Sequence, residues 1–130
     1  MDIPTGSRGE FSIPVTHEVT VAHFHPEMPA VFGTPFLVYA MEVAAANALA
    51  PYLPAGRVSV GTEVDVAHLA ATPVGFTVTA RAEVLASAER TVTFRAEAHD
   101  GVERIGEGTH VRAIIERARF EKRLANEKPA

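Results

Sequence analysis

Gly33-Thr34-Pro35-Phe36-Leu37-Val38-Tyr39-Ala40-Met41-Glu42-Val43-Ala44-Ala45-Ala46-Asn47-Ala48-Leu49-Ala50-Pro51 decides how the rest of the chain is read. It predicts one helix that is apolar almost all the way round. Thr34 suits the N-cap, where a hydroxyl accepts from an orphan backbone N–H. Pro35 suits the first helical position, which needs no N–H, and Pro51 ends the run. Between Gly33 and Gly56 the one charged side chain is Glu42. A helix that is greasy on every face is a buried helix, and an unpaired carboxylate inside it is costly. Glu42 therefore needs a partner or a function.

On the N-terminal side, Pro4, Gly6, Ser7 and Gly9 predict a flexible arm over residues 1–9. From Glu10 to about Phe24 the pattern is β-like, with Phe11, Ile13, Val15, Val19 and Val21; Pro14 argues for an edge or a bulge. His25-Pro26-Glu27-Met28-Pro29 reads as a loop. On the C-terminal side, Pro51–Gly56 is a connector, and four strands follow with period-two alternation. Val58, Val60, Thr62, Val64 and Val66 share one face, opposite Glu63 and Asp65. Phe76, Val78, Ala80, Ala82 and Val84 form the next set, then Val92, Phe94, Ala96 and Ala98. His99-Asp100-Gly101 is a hairpin turn, since Asp-Gly supplies positive φ. In the last strand Ile105, Thr109, Val111, Ala113 and Ile115 are read as facing in, with Arg104, His110 and Arg112 facing out. Residues 117–130 are a charged tail, helical in part, after a domain spanning 10–116.

Alternation of this kind makes a sheet with one buried and one wet face. The greasy helix is the element available to cover it. The expected fold is α+β: a long antiparallel sheet wrapped around one central helix, the hotdog layout. One such unit leaves a sheet edge and part of the helix open, which predicts a homodimer.

Composition narrows the function. The 130 residues suit one domain, and a net charge of −4 gives no reason to expect nucleic acid or an anionic membrane. There is no cysteine, so thiol nucleophiles and thiolate metal sites are excluded, and a cytoplasmic setting is expected. No signal segment opens the chain, and the apolar helix is too short to span a bilayer comfortably. Gly-x-Ser-x-Gly, phosphate-loop and dinucleotide motifs do not occur. His17, His23 and His25 straddle a loop without ligand spacing, so no metal site is expected.

Three residues stand in places where chemistry is possible. Burial would raise the carboxyl pKa of Glu42 and suit it to general-base work, or it could attack an acyl carbon; paired with an arginine, it would be structural. His68, counted by twos from Val58, falls on the face toward the helix. It is a core histidine or a proton carrier, whereas His17, His23, His99 and His110 read as surface. Thr34 caps the helix or stabilises charge at its N-terminus. Thr34 and Glu42 are eight residues apart, about 12 Å along a helix. A substrate must bridge them, or a second subunit must bring one across.

Several segments then carry a resemblance: Val31–Glu42, Ala50-Pro51-Tyr52-Leu53, Gly61-Thr62, His68–Gly75, Ala98-His99-Asp100-Gly101 and Gly108–Ala113. Together they resemble the fluoroacetyl-CoA thioesterase family from about Phe11 to Ile115. The resemblance implies a hotdog dimer that hydrolyses acyl-CoA thioesters, with no cofactor because CoA is part of the substrate. The family's threonine, glutamate and histidine fall on Thr34, Glu42 and His68. A substrate-contacting backbone glycine falls on Gly61 and a site arginine on Arg112. The fluoroacetate-specific member has a longer segment before the helix, with phenylalanines forming a lid. Here His25–Ala30 is shorter and has no phenylalanine, so strong fluoroacetyl preference is not expected. Two other readings use the same fold: a dehydratase or hydratase, and a non-catalytic acyl-thioester binding module.

Overall fold

A computed structural model describes residues 2–129. Met1 and Ala130, the outermost residues of the expected arm and tail, lie outside the described residues. Five strands, β1 (Arg8–Pro14), β2 (Arg57–His68), β3 (Thr77–Ser87), β4 (Thr91–His99) and β5 (Arg104–Glu116), form one antiparallel sheet in the order β1-β3-β4-β5-β2. A short helix α1 (Val21–Phe24) precedes the central helix α2 (Thr34–Leu49), and α3 (Arg117–Glu127) follows β5 directly. This is the hotdog arrangement. Among the described residues no helix is long and apolar enough to cross a membrane.

The core lies between α2 and the concave face of the sheet. Leu37, Ala40, Met41, Ala44, Ala45, Ala48 and Leu49 meet Val78, Ala80, Ala82 and Val84 of β3 and Val92, Phe94, Ala96 and Ala98 of β4. The alanines let the helix settle close to the strands. The closest approach is at Gly9 of β1, where a Cβ would overlap Ala44 O and Ala48 N of α2. The helix is not buried all round, however. Pro35, Val38, Tyr39, Glu42, Val43 and Ala46 lie on its far side and are exposed or half-buried, Tyr39 at 52%. Among the described residues of one copy, no element covers that side. The edge of β2 is open alongside.

Several local expectations are corrected. Residues 2–9 are held down rather than loose. Ile3 is buried, the Gly6 N–H donates to Val84 O at 2.8 Å, and β1 begins at Arg8. The β-like run stops at Pro14, whose missing N–H is tolerated on the edge strand β1, and one further bond, Val15 N–H to Phe76 O at 2.8 Å, closes it. Val19 and Val21 lie in a 3₁₀ turn and in α1. Gly33, not Thr34, is the N-cap of α2, which moves Thr34 to the first helical position and Pro35 to the second.

The largest correction is in β5. Ala98 pairs with Gly106 and His99 with Arg104, which leaves Ile105 as an extra residue. A bulge of one residue reverses the parity of everything beyond it. Inward positions are therefore Gly106, Gly108, His110, Arg112 and Ile114. His110 is 1% exposed, Arg112 7% and Ile114 5%, where the alternation had put both polar residues outside. A second shift in β2, between Gly61 and Glu63, skips Thr62. Ser59 and Gly61 before it, and Val64, Val66 and His68 after it, lie opposite inward residues of β5. Val58 and Val60 pair with Ile115 and Ala113 on the outer face. The expected inward face of His68 holds.

The β4–β5 turn is pinned by Asp100. Its carboxylate accepts from the N–H groups of Val102 and Glu103, both at 3.0 Å, and from the buried Thr72 hydroxyl at 2.8 Å. That ties the turn to the loop leaving His68.

Candidate active site

Thr34 and His68 form the first half of the candidate site. The Thr34 hydroxyl lies 2.8 Å from His68 Nδ1, so the first turn of α2 meets the end of β2. The hydroxyl is free for this because Thr34 is inside the helix start rather than capping it. His68 Nε2 is buried without a hydrogen-bond partner among the described residues. A buried nitrogen of this kind is rare in folded proteins. Burial pushes the imidazole below its ordinary 6.5, opposed by the nearby Ala70 backbone. The ring is thus neutral at pH 7 and able to accept a proton.

Glu42, Gly61, Ser59 and Arg112 form the second half. The Glu42 side chain is 37% exposed on the open side of α2, and its Oε2 lies 3.5 Å from the Arg112 NH1. The expectation of an unpaired acid sealed in the interior is corrected: the apolar side of α2 on which it stands is uncovered. Arg112 donates from Nε to Ser59 Oγ and from NH2 to Ser59 O, both at 2.9 Å. Burial lowers the guanidinium pKa below its ordinary value, and the Glu42 carboxylate opposes the shift. Gly61 leaves the room for this carboxylate. A Cβ there would overlap Glu42 Oε2 and sit 3.1 Å from His110 Cε1.

The two halves do not join within one chain. Glu42 lies about 12 Å beyond Thr34 along α2. Gly61 and His68 are roughly 20 Å apart along β2 at ~3.3 Å per residue. Among the described residues no hydrogen bond or ion pair links Glu42 to His68.

His110 and Ser59 were missed from the sequence. The available signal was weak: Gly106, Gly108, His110 and Arg112 end on Ile114, an apolar residue of the same parity, but Ile115 beside it left the choice of face open. His110 Nδ1 lies 2.8 Å from Glu63 O, its ring stacks on Phe94 at 6.2 Å, and Nε2 lies 3.2 Å from Arg112 NH1. The loop 25–30 contains no aromatic residue. Phe24, just before it, is 62% exposed and stacks on Phe36 at 6.2 Å.

Residues 15–118 match the family model for fluoroacetyl-CoA-specific thioesterase. The chain is 43% identical over 131 residues to the fluoroacetyl-CoA thioesterase of Streptantibioticus cattleyicolor, covering 96% of this chain and 94% of that protein. A solved structure of a fluoroacetyl-CoA thioesterase is similar at 41% identity and a TM-score of 0.91, covering 99% and 100% of the two chains. A phenylalanine-to-alanine variant of such an enzyme, solved with fluoroacetate and CoA, is 44% identical with a TM-score of 0.82, covering 90% and 98%.

Proposed function

The chain belongs to the fluoroacetyl-CoA-specific thioesterase family, and from that premise we propose that it hydrolyses a small acyl-CoA to the free acid and CoA. The observation that carries the reading is the pairing of Thr34 with a neutral, half-buried His68 whose Nε2 has no partner. Glu42 serves as nucleophile toward the acyl carbon or as base toward water, two routes separated by whether borohydride traps an acyl-Glu42 anhydride during turnover. On either route the C–S bond breaks, and neutral His68 takes up the proton released by the water that enters and passes it to the thiolate that leaves. Thr34 holds the imidazole or the thioester oxygen, and the Gly61 N–H donates to that oxygen.

The working unit in this reading is a homodimer. The open side of α2 and the free edge of β2 form one continuous surface carrying both half-sites. A second copy across it sets the Glu42 of one chain opposite the Thr34–His68 pair of the other. An interface built this way also covers Val38, Tyr39 and Val43.

The anionic end of CoA belongs, in the same reading, to a cleft of about 390 Å³ where β2 begins and β5 ends. Arg57, Arg90, Arg119 and Arg123 line it beside Phe120. Three of these guanidiniums, with Arg123 held by Glu127 at 3.5 Å and Glu116 the one carboxylate on the lining, favour a phosphorylated ligand in a net acidic protein. Arg104 is less suited, being held by Glu107 at 2.6 Å and Glu97 at 3.9 Å.

The test is a panel of acetyl-, fluoroacetyl-, propionyl- and longer acyl-CoA with a thiol reagent, run on the wild type, Glu42→Gln and His68→Ala. Thiol release that both variants abolish is expected, with comparable kcat/KM for acetyl- and fluoroacetyl-CoA. Turnover without thiol release points to hydration or dehydration, and binding without turnover to a carrier module.

A further inference from the structure

We infer that His110 is a positioning residue, which from inside the sheet restrains Arg112 from closing onto Glu42 and so keeps the Glu42 carboxylate available for reaction. The inference rests on Glu42 being the reacting acid. His110 is buried on β5, with Phe94 of β4 against its ring. An apolar side chain would fill that place without the cost of desolvating an imidazole.

Its partners dictate the tautomer. A carbonyl can only accept, so the Nδ1 facing Glu63 O at 2.8 Å carries the hydrogen. A guanidinium can only donate, so the Nε2 facing Arg112 NH1 at 3.2 Å presents its lone pair. The NH1 of Arg112 is thereby shared among three acceptors: His110 Nε2, Glu42 O at 3.4 Å and Glu42 Oε2 at 3.5 Å. A relaxed arginine–carboxylate pair closes to about 2.7–2.9 Å. Ser59 anchors the other side of the guanidinium through Nε and NH2. Arg112 is thus pulled back from the carboxylate by two groups, His110 and Ser59. Gly61 contributes the space in which the carboxylate stands.

Protonation would undo this arrangement. The charged groups acting on His110 are Arg112 of β5 and Glu42 of α2; β2 offers it the Glu63 carbonyl and β4 the Phe94 ring. An imidazolium would present Nε2–H to a guanidinium, two donors face to face. Burial, with the Arg112 charge, holds the imidazole below its ordinary 6.5 against the pull of the Glu63 carbonyl and Glu42. The acceptor state therefore persists at neutral pH.

The experiment compares His110→Phe, which fills the space without an acceptor, with His110→Gln, whose amide oxygen reaches the same NH1. In a crystal structure of His110→Phe, Arg112 NH1 is expected to close on Glu42 Oε2 from 3.5 Å to about 2.8 Å. Its kcat for acetyl-CoA is expected to fall on the order of tenfold to a hundredfold, with KM within about twofold. His110→Gln is expected to keep the longer separation, recover most of kcat and lose the acid-side component of the pH profile that His110 protonation causes. An unmoved Arg112–Glu42 distance in His110→Phe overturns the inference, as does equal loss of kcat in both variants. The crystallographic arm decides it even if the wild type cleaves no thioester, a result that would instead sink the proposed function.

Discussion

The Thr34 hydroxyl and His68 Nδ1 stand 2.8 Å apart, joining the first turn of the central helix to the last residue of the edge strand. Thr34→Ala removes that link. We expect kcat for acetyl-CoA to drop on the order of 10²-fold, with Thr34→Ser restoring most of it. Thermal unfolding should change little, since one exposed hydrogen bond contributes only about 1 kcal/mol. Steady-state kinetics and calorimetry on the two variants check both statements.

Gly61 and Gly9 separate activity from stability. A Cβ at Gly61 meets the tip of Glu42, a flexible side chain that can swing aside, and the edge of the His110 ring. Gly61→Ala should fold with a near-native melting temperature and lose most of its turnover. A Cβ at Gly9 meets α2 backbone atoms, Ala44 O and Ala48 N, which cannot move without shifting the helix. Gly9→Ala should cost on the order of 3 kcal/mol or more in urea unfolding.

Stability should fall in two stages on acidification. His68 and His110 both titrate below 6.5 in the folded chain because of burial. Between their depressed values and 6.5 the unfolded chain binds more protons, so stability declines as pH falls through that window. Asp100 acts next. Burial alone would raise its carboxyl, but the N–H groups of Glu103 and Val102 and the Thr72 hydroxyl outweigh it and hold it below 3.8. Its contribution is present above 3.8 and is lost as pH drops through the folded value. Urea titrations across pH should show the first stage reduced in His110→Gln and the second reduced in Asp100→Asn.

The arginine cleft makes a prediction about substrate length. Arg119→Ala combined with Arg57→Ala should raise KM for acetyl-CoA about tenfold or more, each lost phosphate contact being worth roughly 1.5–3 kcal/mol at most. KM for S-acetylpantetheine, which lacks the nucleotide, should not move. Equal effects on both thioesters would remove the cleft from the binding path.

A composite site predicts complementation. Glu42→Gln and His68→Ala are each expected to be inactive alone. Unfolded together and refolded, half of the resulting dimers carry one copy of each, and one of their two sites is intact. Roughly a quarter of wild-type activity should return, as twofold symmetry requires. No recovery, or a monomer at working concentration in ultracentrifugation, would rule out a site shared between chains.

Much of this molecule could be read directly. The apolar run from Phe36 to Leu49 and the alternation of Val78–Val84 and Val92–Ala98 are local patterns, and they named the central helix and two of the three inner strands. Glu42, the one charge in that helix, and Thr34 at its start drew attention by position alone. Local pattern failed where pairing between distant segments intervened. Nothing near Ile105 signals that His99 will pair with Arg104 and leave one residue over, and nothing near Thr62 signals that β5 will skip it.

The sequence by itself therefore determined which elements exist and which residue types stand on the helix, because propensity and apolar period act over a few neighbouring residues. Only the tertiary structure decided that His110 and Arg112 turn inward, that Glu42 shares a guanidinium, and that Thr34 and His68 meet while Glu42 stands apart. Those outcomes depend on strand register and on the crossing of helix and sheet, which are settled between segments tens of residues apart.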